Sequence, residues 1–352
     1  WFGISPDDVV PKEEHQTAIK ASLASLLTWA ARKPVAMPCH WRGCRQSAAV
    51  VTADVEDQFQ TGDAIALACH KEGVKGSWFL VGSLAPGYPE VVTALAANGE
   101  VGTHSVNHGS FKGVPLADQK AELAKGKKIL EELGVSRVFG FRPPMEEYDE
   151  ATIEAVAETG LGFIYGNLSF DRAFPIVRQV GGSNIYQFAR IVADDYNLVV
   201  QRGVKNPTEY RREYLKEFRR LHDLGGLFPF SFHTNYLALA DSVDVVRATI
   251  AELKKEDVWL TTFQGIVQWL ETHRMVEIKA TLQESTTVVS VANKGGAEIK
   301  AFSLVVFLPS TGEQPRLVAT PEDGVKLTPK GEGRVALEVD LGGSETKVIK
   351  IR

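Results

Sequence analysis

The stretch "SAAVVTADVEDQFQTGDAIALACHKEGVKGSWFLVG", Ser47 to Gly82, decides the fold. "SAAVVTADV" is an apolar run of the kind that makes a strand buried on both faces. "GDAIALACHKEG" follows with helical spacing and a closing Gly73, and "GSWFLVG" reads as a strand again. The alternation continues outward at the same pace. "YPEVVTALAANG" reads as a helix, "EVGTH" as a short strand, and "PLADQKAELAKGKKILEELG" as a long amphipathic helix with Pro115 near its start and Gly134 after its end. "SRVFGFRPP", "DEATIEAVAETG" and "LGFIYG" give strand, helix and strand. Farther on, "LFPFSFHT" and "VWLTT" are strand-like among the helical "NPTEYRREYLKEFRRLHDLG", "DVVRATIAELKKE" and "FQGIVQWLETH". This alternation predicts an α/β fold on a parallel sheet, open or closed into a barrel, over residues 47–273.

The flanks differ. Residues 1–46 read as a helical lead-in, with one helix around Glu14 to Ala31 and then an irregular stretch holding Pro and Cys. Over residues 275–352 the helical period vanishes. "VEIKATLQ", "TTVVSVANKG", "AEIKAFSLVVFLP", "GRVALEVDL" and "TKVIKIR" are short strand-like runs broken by Gly, Pro and Asn, which predicts a C-terminal β-sandwich. A net charge of −5 with no long basic run argues against a nucleic-acid partner. No apolar run approaches a membrane span, and "IKASLASLLTWAA" is short and reads as one amphipathic helix. The chain begins at Trp1, so the sequence leaves open an upstream signal or anchor. Cys39 and Cys44 flank "HWRG" and predict either a small disulfide loop in an exported protein or, with His40, an incomplete metal set. Cys69 reads as a buried small hydrophobe.

Chemistry-bearing residues gather where the strands end, which is where α/β barrels collect reactive side chains. His104 and His108 stand four apart after "EVGTH", among Gly, Ser, Thr and Asn that favour turns over helix. "TADVED" closes the first strand with Asp54, Glu56 and Asp57, "FRPP" closes another with Arg142, and "FSFHTNY" presents His233. Two imidazoles and one carboxylate leave open positions on a divalent cation, which suits catalysis better than structure. A second carboxylate nearby can serve as a base toward water. A lone H-x3-H is weak; its joint occurrence with acids and Arg142 at successive strand ends carries the reading.

These segments resemble the polysaccharide deacetylases of NodB-like fold, over roughly Ala48 to Trp269. "LAANGEVGTHSVNH" is similar to the family's "la-x-x-G-h-E-i-g-x-H-[ST]-x-x-H", and "GFRPPMEEYDEATIEAVAETG" to "F-R-P-P-[YF]-G" with its following helix. "GSWFLVG" matches the apolar second strand and "FPFSFHTN" the late strand that ends in a histidine. The resemblance implies a distorted (β/α) barrel and a metal site, with zinc the first choice of divalent ion. It implies His104 and His108 as ligands, Asp54 as base, Arg142 against Asp54 to keep it ionised, and His233 as the acid that protonates the leaving amine. Backbone N–H groups near Met145 would stabilise the oxyanion. The sequence departs from the family's "T-F-D-D-G": Val55 stands at the usual ligand position. Glu56 fits a D-x-[DE] form, and residues two apart in a strand share a face, while Asp57 stays open because the strand is ending. Phe232 stands where a leucine usually lines the acetyl pocket. The acid that orients His233 is read first as Asp171 in "SFDRAF", then as Asp194 or Asp195 in "VADDYN".

Blander readings stand beside these. His104 and His108 could serve as loop caps, Arg142 as a structural ion-pair partner, and His233 as a satisfied core histidine. His222 reads as a surface residue; His15, His70 and His273 have no companions, and Trp78 and Trp269 read as core. Three functions follow: a metal-dependent deacetylase of an acetylated polysaccharide or oligosaccharide, an amide hydrolase of the same fold on a non-sugar substrate, or a degenerate carbohydrate-binding protein. The β-rich tail favours the first by analogy with exported polysaccharide enzymes. The expected setting is extracytoplasmic (periplasmic, secreted or cell-surface), with the cytoplasm as the alternative.

Overall fold

The computed structural model describes residues 23–28, 30–167, 173–239, 242–309, 317–319, 324–331 and 333–351. They divide into two units, one holding the described residues of 47–267 and the other those of 15–46 and 268–352. Described residues on both sides of 47–267 in the sequence therefore contribute to the second unit. The first strand, β1 (Val35–Pro38), belongs there, in the stretch whose sequence reads as irregular.

The first unit is built on β2 (Ser47–Val55), in which every residue is buried. Three strands share it. β9 (Leu227–His233) pairs along one edge from Ala48 to Asp54, while β10 (Val258–Thr261) pairs with its first half and β3 (Gly76–Leu80) with its last. From β3 the parallel order continues through β4 (Gly99–Thr103), β5 (Gly140–Phe141), β6 (Phe163–Gly166) and β8 (Ser183–Ala189), and β7 (Ile176–Val180) closes it antiparallel to β8. Among the described residues β7 pairs only with β8 and β9 only with β2, so this nine-stranded sheet is a curled half-barrel and not a closed one. Leu227 N donates to the carbonyl of Ala173 at 2.7 Å, a bond across the gap.

The helices follow from the pattern of the chain. α1 (Gly62–Lys71) buries Ile65, Ala66, Ala68 and Cys69, and α2 (Pro89–Ala97) opens on a proline whose missing N–H costs nothing there. α3 (Leu116–Glu132) follows Pro115, and α4 (Glu150–Glu158) has a capping box, Asp149 accepting from Thr152 N. α5 (Pro207–Asp223) is capped by Asn206 and buries Tyr210, Tyr214, Phe218 and Leu221 along one stripe. α6 (Val243–Leu253) precedes β10, and α7 (Phe263–Met275) gives its start to the first unit and the rest to the second. Rings of Phe79, Phe163, Tyr165, Phe188 and Phe263 fill the curl of the sheet.

The hairpin β7–β8 was not foreseen from the sequence, although "VGGS" signals it. Gly181 and Gly182 both have positive φ, 56° and 83°, as a tight two-residue hairpin demands. Trp78 is wholly buried and Trp269 nearly so, Cys69 is buried, and Cys39 and Cys44 form a disulfide, which removes them as metal donors. His222 is half-buried, its Nδ1 2.7 Å from Ser47 Oγ, and so is not the surface residue the sequence suggests.

In the second unit β11 (Val276–Gln283), β12 (Thr286–Asn293), β17 (Thr346–Ile351) and β14 (Leu317–Ala319) form one antiparallel sheet. β1, β13 (Ile299–Phe307), β16 (Arg334–Leu341) and β15 (Val325–Pro329) form another. Val289, Val291, Ile349 and Ile351 of the first, and Phe302, Leu304, Leu337 and Val339 of the second, are buried at alternating positions, so each sheet hides one face. Among the described residues no helix is long and apolar enough to cross a membrane.

Candidate active site

The parallel strands of the first unit deliver their side chains to one end. Register sets Asp54, near the end of β2, beside His233, at the end of β9. β4 ends at Thr103, so His104 leaves the sheet next to it, and Arg142 follows β5, its N–H donating to the Thr103 carbonyl at 3.1 Å. Asp54, Glu56, His104, His108, Arg142 and His233 all line one pocket of about 410 Å³.

Asp54 is the buried centre. Arg142 Nε donates to both of its carboxylate oxygens, at 3.2 and 3.0 Å, and His233 Nε2 lies 3.5 Å from Oδ2. Burial pushes the carboxyl up, but the Arg142 guanidinium, with His104 and His233, outweighs it and holds Asp54 down at about 2. A carboxylate so placed is ionised at neutral pH and able to accept a proton.

Glu56, His104 and His108 converge, with ligating atoms all within 4.8 Å of one another. His104 Nδ1 donates to the Arg142 carbonyl at 2.7 Å, which fixes its tautomer and leaves Nε2, 3.8 Å from Glu56 Oε2, as a lone-pair donor. Burial, first of all, lowers the His104 pKa to about 4, so this imidazole is neutral. His108 Nε2 is 2.8 Å from the same Glu56 oxygen. His108 and Ser105 both have positive φ, and Ser105 Oγ accepts from His108 N at 2.9 Å, which turns the loop so that both imidazoles face Glu56. Two imidazole nitrogens and one carboxylate oxygen suit a divalent cation with open positions; without one, the Glu56 carboxylate beside His108 raises the pKa of that imidazole. Asp57 is exposed and outside this cluster. Its carbonyl accepts from Thr234 Oγ1, so the chain has already turned away, and the strand-alternation argument for Glu56 agrees with the geometry.

His233 has its own carboxylate partner. Nδ1 lies 2.6 Å from Asp195 Oδ1, and Asp195 also accepts from the N–H groups of His233, Leu237 and Tyr196. Burial alone favours the neutral imidazole; Asp195 overrides it and pushes His233 up to about 10. Asp194, Asp195 and His233 also cluster closely enough for a metal. The oxygens of Asp195 are already committed to these N–H donors, however, so the group reads as an oriented imidazolium. The first choice from sequence, Asp171, lies outside the described residues; the contact to His233 is made by Asp195, the second. Phe232 is fully buried and does not line the pocket, so the aromatic is core. Met145 does line it, with its backbone in the left-handed region at φ 54°.

Sequence reasoning missed Glu146 and Arg190, which also line the pocket. Their ion pair spans 44 residues, so no local spacing could reveal it. Asn197 and Gln201, from a π-helical turn at Asn197–Gln201, and Tyr196 just before it also line the wall.

Residues 49–164 match the family described as polysaccharide deacetylase. An uncharacterized protein of Streptomyces coelicolor is 33% identical over 85 residues; the match takes in 24% of this chain, which spans 34% of that relative's length. Among solved structures, one from Mycobacterium smegmatis assigned to the polysaccharide deacetylases is similar with a TM-score of 0.60 at 21% identity, covering 70% of this chain and 98% of that one. An allantoinase is similar with a TM-score of 0.59 at 16% identity, covering 67% and 94%. At these identities the structural likeness establishes the half-barrel fold.

Proposed function

We propose that this chain, whose residues 49–164 carry a polysaccharide deacetylase domain, is a metal-dependent hydrolase that removes N-acetyl groups from amino sugars of a polysaccharide. One observation carries the reading: an ionised carboxylate, an imidazolium and a His/His/Glu cluster face one pocket from separate strand ends. Glu56, His104 and His108 would hold the cation, zinc for preference, which would supply Lewis-acid polarisation of the acetyl carbonyl. Asp54 accepts a proton from water as its oxygen attacks the carbonyl carbon. Arg142 keeps Asp54 ionised and aimed. The Met145 backbone is the candidate donor to the oxygen that gains charge. As the C–N bond breaks, His233 gives its proton to the departing nitrogen, and Asp195 holds the ring in place. The products are acetate and a free amine. The Cys39–Cys44 disulfide supports an oxidising, extracytoplasmic setting.

The test is acetate release from N- and O-acetylated glycans, with a cyclic amide as control because the fold also carries an allantoinase. Asp54→Asn is expected to keep its metal and lose about 10²–10⁴-fold in kcat, the usual worth of a general base. Glu56→Gln is expected to lose metal, with partial recovery of rate in excess metal, whereas Asp57→Asn changes neither. Turnover of the cyclic amide without acetate release would move the protein to the non-sugar hydrolases. If neither is turned over, the catalytic reading fails.

A further inference from the structure

Glu146 occupies a costly position. Met145 and Glu146 both adopt left-handed backbone, at φ 54° and 58°. That region is unfavourable for an L residue with a side chain, and such strain persists where the surroundings fix it. In the pattern "F-R-P-P-[YF]-G" to which this segment is similar, the place of Glu146 is a glycine. What fixes the glutamate is its carboxylate. Arg142 Nη1 donates to Oε1 at 2.8 Å, Arg190 Nη2 donates to Oε2 at 2.7 Å, and Arg190 Nε also donates to Oε1. Arg190 is anchored in turn: its Nη1 donates to the Val192 carbonyl at 3.1 Å and to Asn197 Oδ1 at 2.7 Å. The side chains of Arg142, Glu146 and Arg190 are only 3%, 11% and 14% exposed.

This chain of contacts ends on the base. The Tyr165 ring lies 4.5 Å from the Arg142 guanidinium carbon and covers one face, which sets the tilt of the plane but not its rotation within that plane. Rotation is held by Asp54 at Nε and, at Nη1, by Glu146 at 2.8 Å and by the longer bond to the Tyr165 carbonyl at 3.4 Å, so the shorter, charged contact to Glu146 dominates that edge. We propose that Glu146 and Arg190 are positioning residues that lock the rotation of the Arg142 guanidinium, so that Nε reaches both oxygens of Asp54. The proposal rests on the hydrolase reading of Asp54, but the geometry it asserts is measurable without turnover.

The test combines kinetics on an N-acetylglucosamine oligomer with crystal structures of Glu146→Gln and Arg190→Lys. Glu146→Gln is expected to lower kcat about 10- to 100-fold, the scale on which a misplaced group loses rate, with KM within about twofold and metal content unchanged. In an Arg142→Ala background the same change is expected to add less than about twofold, because Glu146 acts through Arg142. Losses that multiply, or a raised KM at constant kcat, would overturn the proposal. Arg190→Lys keeps the charge but loses the fork, and carries the test if Glu146→Gln does not fold. If the parent protein releases no acetate, the hydrolase reading fails separately. The crystal structures then still decide: a guanidinium turned off Asp54 sustains the lock, and an unmoved one overturns it.

Discussion

The proposed acid and base of this pocket lie side by side, His233 Nε2 being 3.5 Å from Asp54 Oδ2, and that contact shapes the expected response to pH. Asp54 ionises at about 2 and His233 at about 10, so the carboxylate and the imidazolium coexist over the range between. The alkaline fall of kcat/KM is therefore expected to follow loss of the His233 proton. Asp195→Asn removes the carboxylate that opposes the desolvation of His233, and a pH–rate profile is expected to show this limb at a lower pH by about one unit or more. An unmoved limb would remove Asp195 from the role. Stability follows the same sign. A raised folded-state pKa contributes stability that is fully present below the unfolded value of 6.5 and is lost as the pH rises through about 10. The melting deficit of Asp195→Asn should accordingly narrow at high pH. Within the site, legibility depended on whether a residue sits in a short motif. Asp54, Glu56, His104, His108, Arg142 and His233 sit in short motifs at strand ends and could be read directly. Asp195 to His233 spans 38 residues and Arg190 to Glu146 spans 44, and such pairs are set by folding, not by any local pattern.

Strands position this chemistry, and β4 shows how tightly. It runs between β3 and β5, with Gly102 in register with Phe79. A Cβ on Gly102 would lie 2.7 Å from Phe79 ring atoms and 2.8 Å from the Gly140 carbonyl, so neither neighbour leaves room for alanine. Gly102→Ala is expected to destabilise the protein by about 1–3 kcal/mol, the usual cost of overpacking. Because the strand ends beside His104, metal affinity is expected to fall with it. Thermal melting and metal titration check both, and an unchanged melting temperature would sink the packing argument. The buried strands were legible because an all-apolar run has one reading when helices alternate with it. The β7–β8 hairpin and β1 were not. β7 alternates half-exposed and exposed residues, and β1 has only four residues, half-buried, whose partner β13 lies some 270 residues on. No window of sequence contains both members of that pair.

For the whole molecule, the two units divide the labour. Every residue assigned to the site falls within 47–267, while both cysteines of the disulfide fall in the other unit. That unit is assembled from distant parts of the chain, and β1, directly before Cys39, joins the sheet of β13 and β16. The segment after β1 is also held by Cys39 N donating to the Ser303 carbonyl and by Gly43 N donating to Ser303 Oγ. Cys39 and Cys44 are five apart in sequence, and closing so short a loop restricts the unfolded chain by about 2 kcal/mol. Cys44→Ser is therefore expected to lower the stability of the second unit by about that amount, read as an earlier denaturant midpoint for its β signal. Acetate release per folded molecule is expected to stay as in the parent, because the residues proposed to act on substrate lie in the first unit. Loss of kcat in Cys44→Ser at temperatures where the second unit remains folded would contradict this division, and would mean that the antiparallel unit acts on the chemistry.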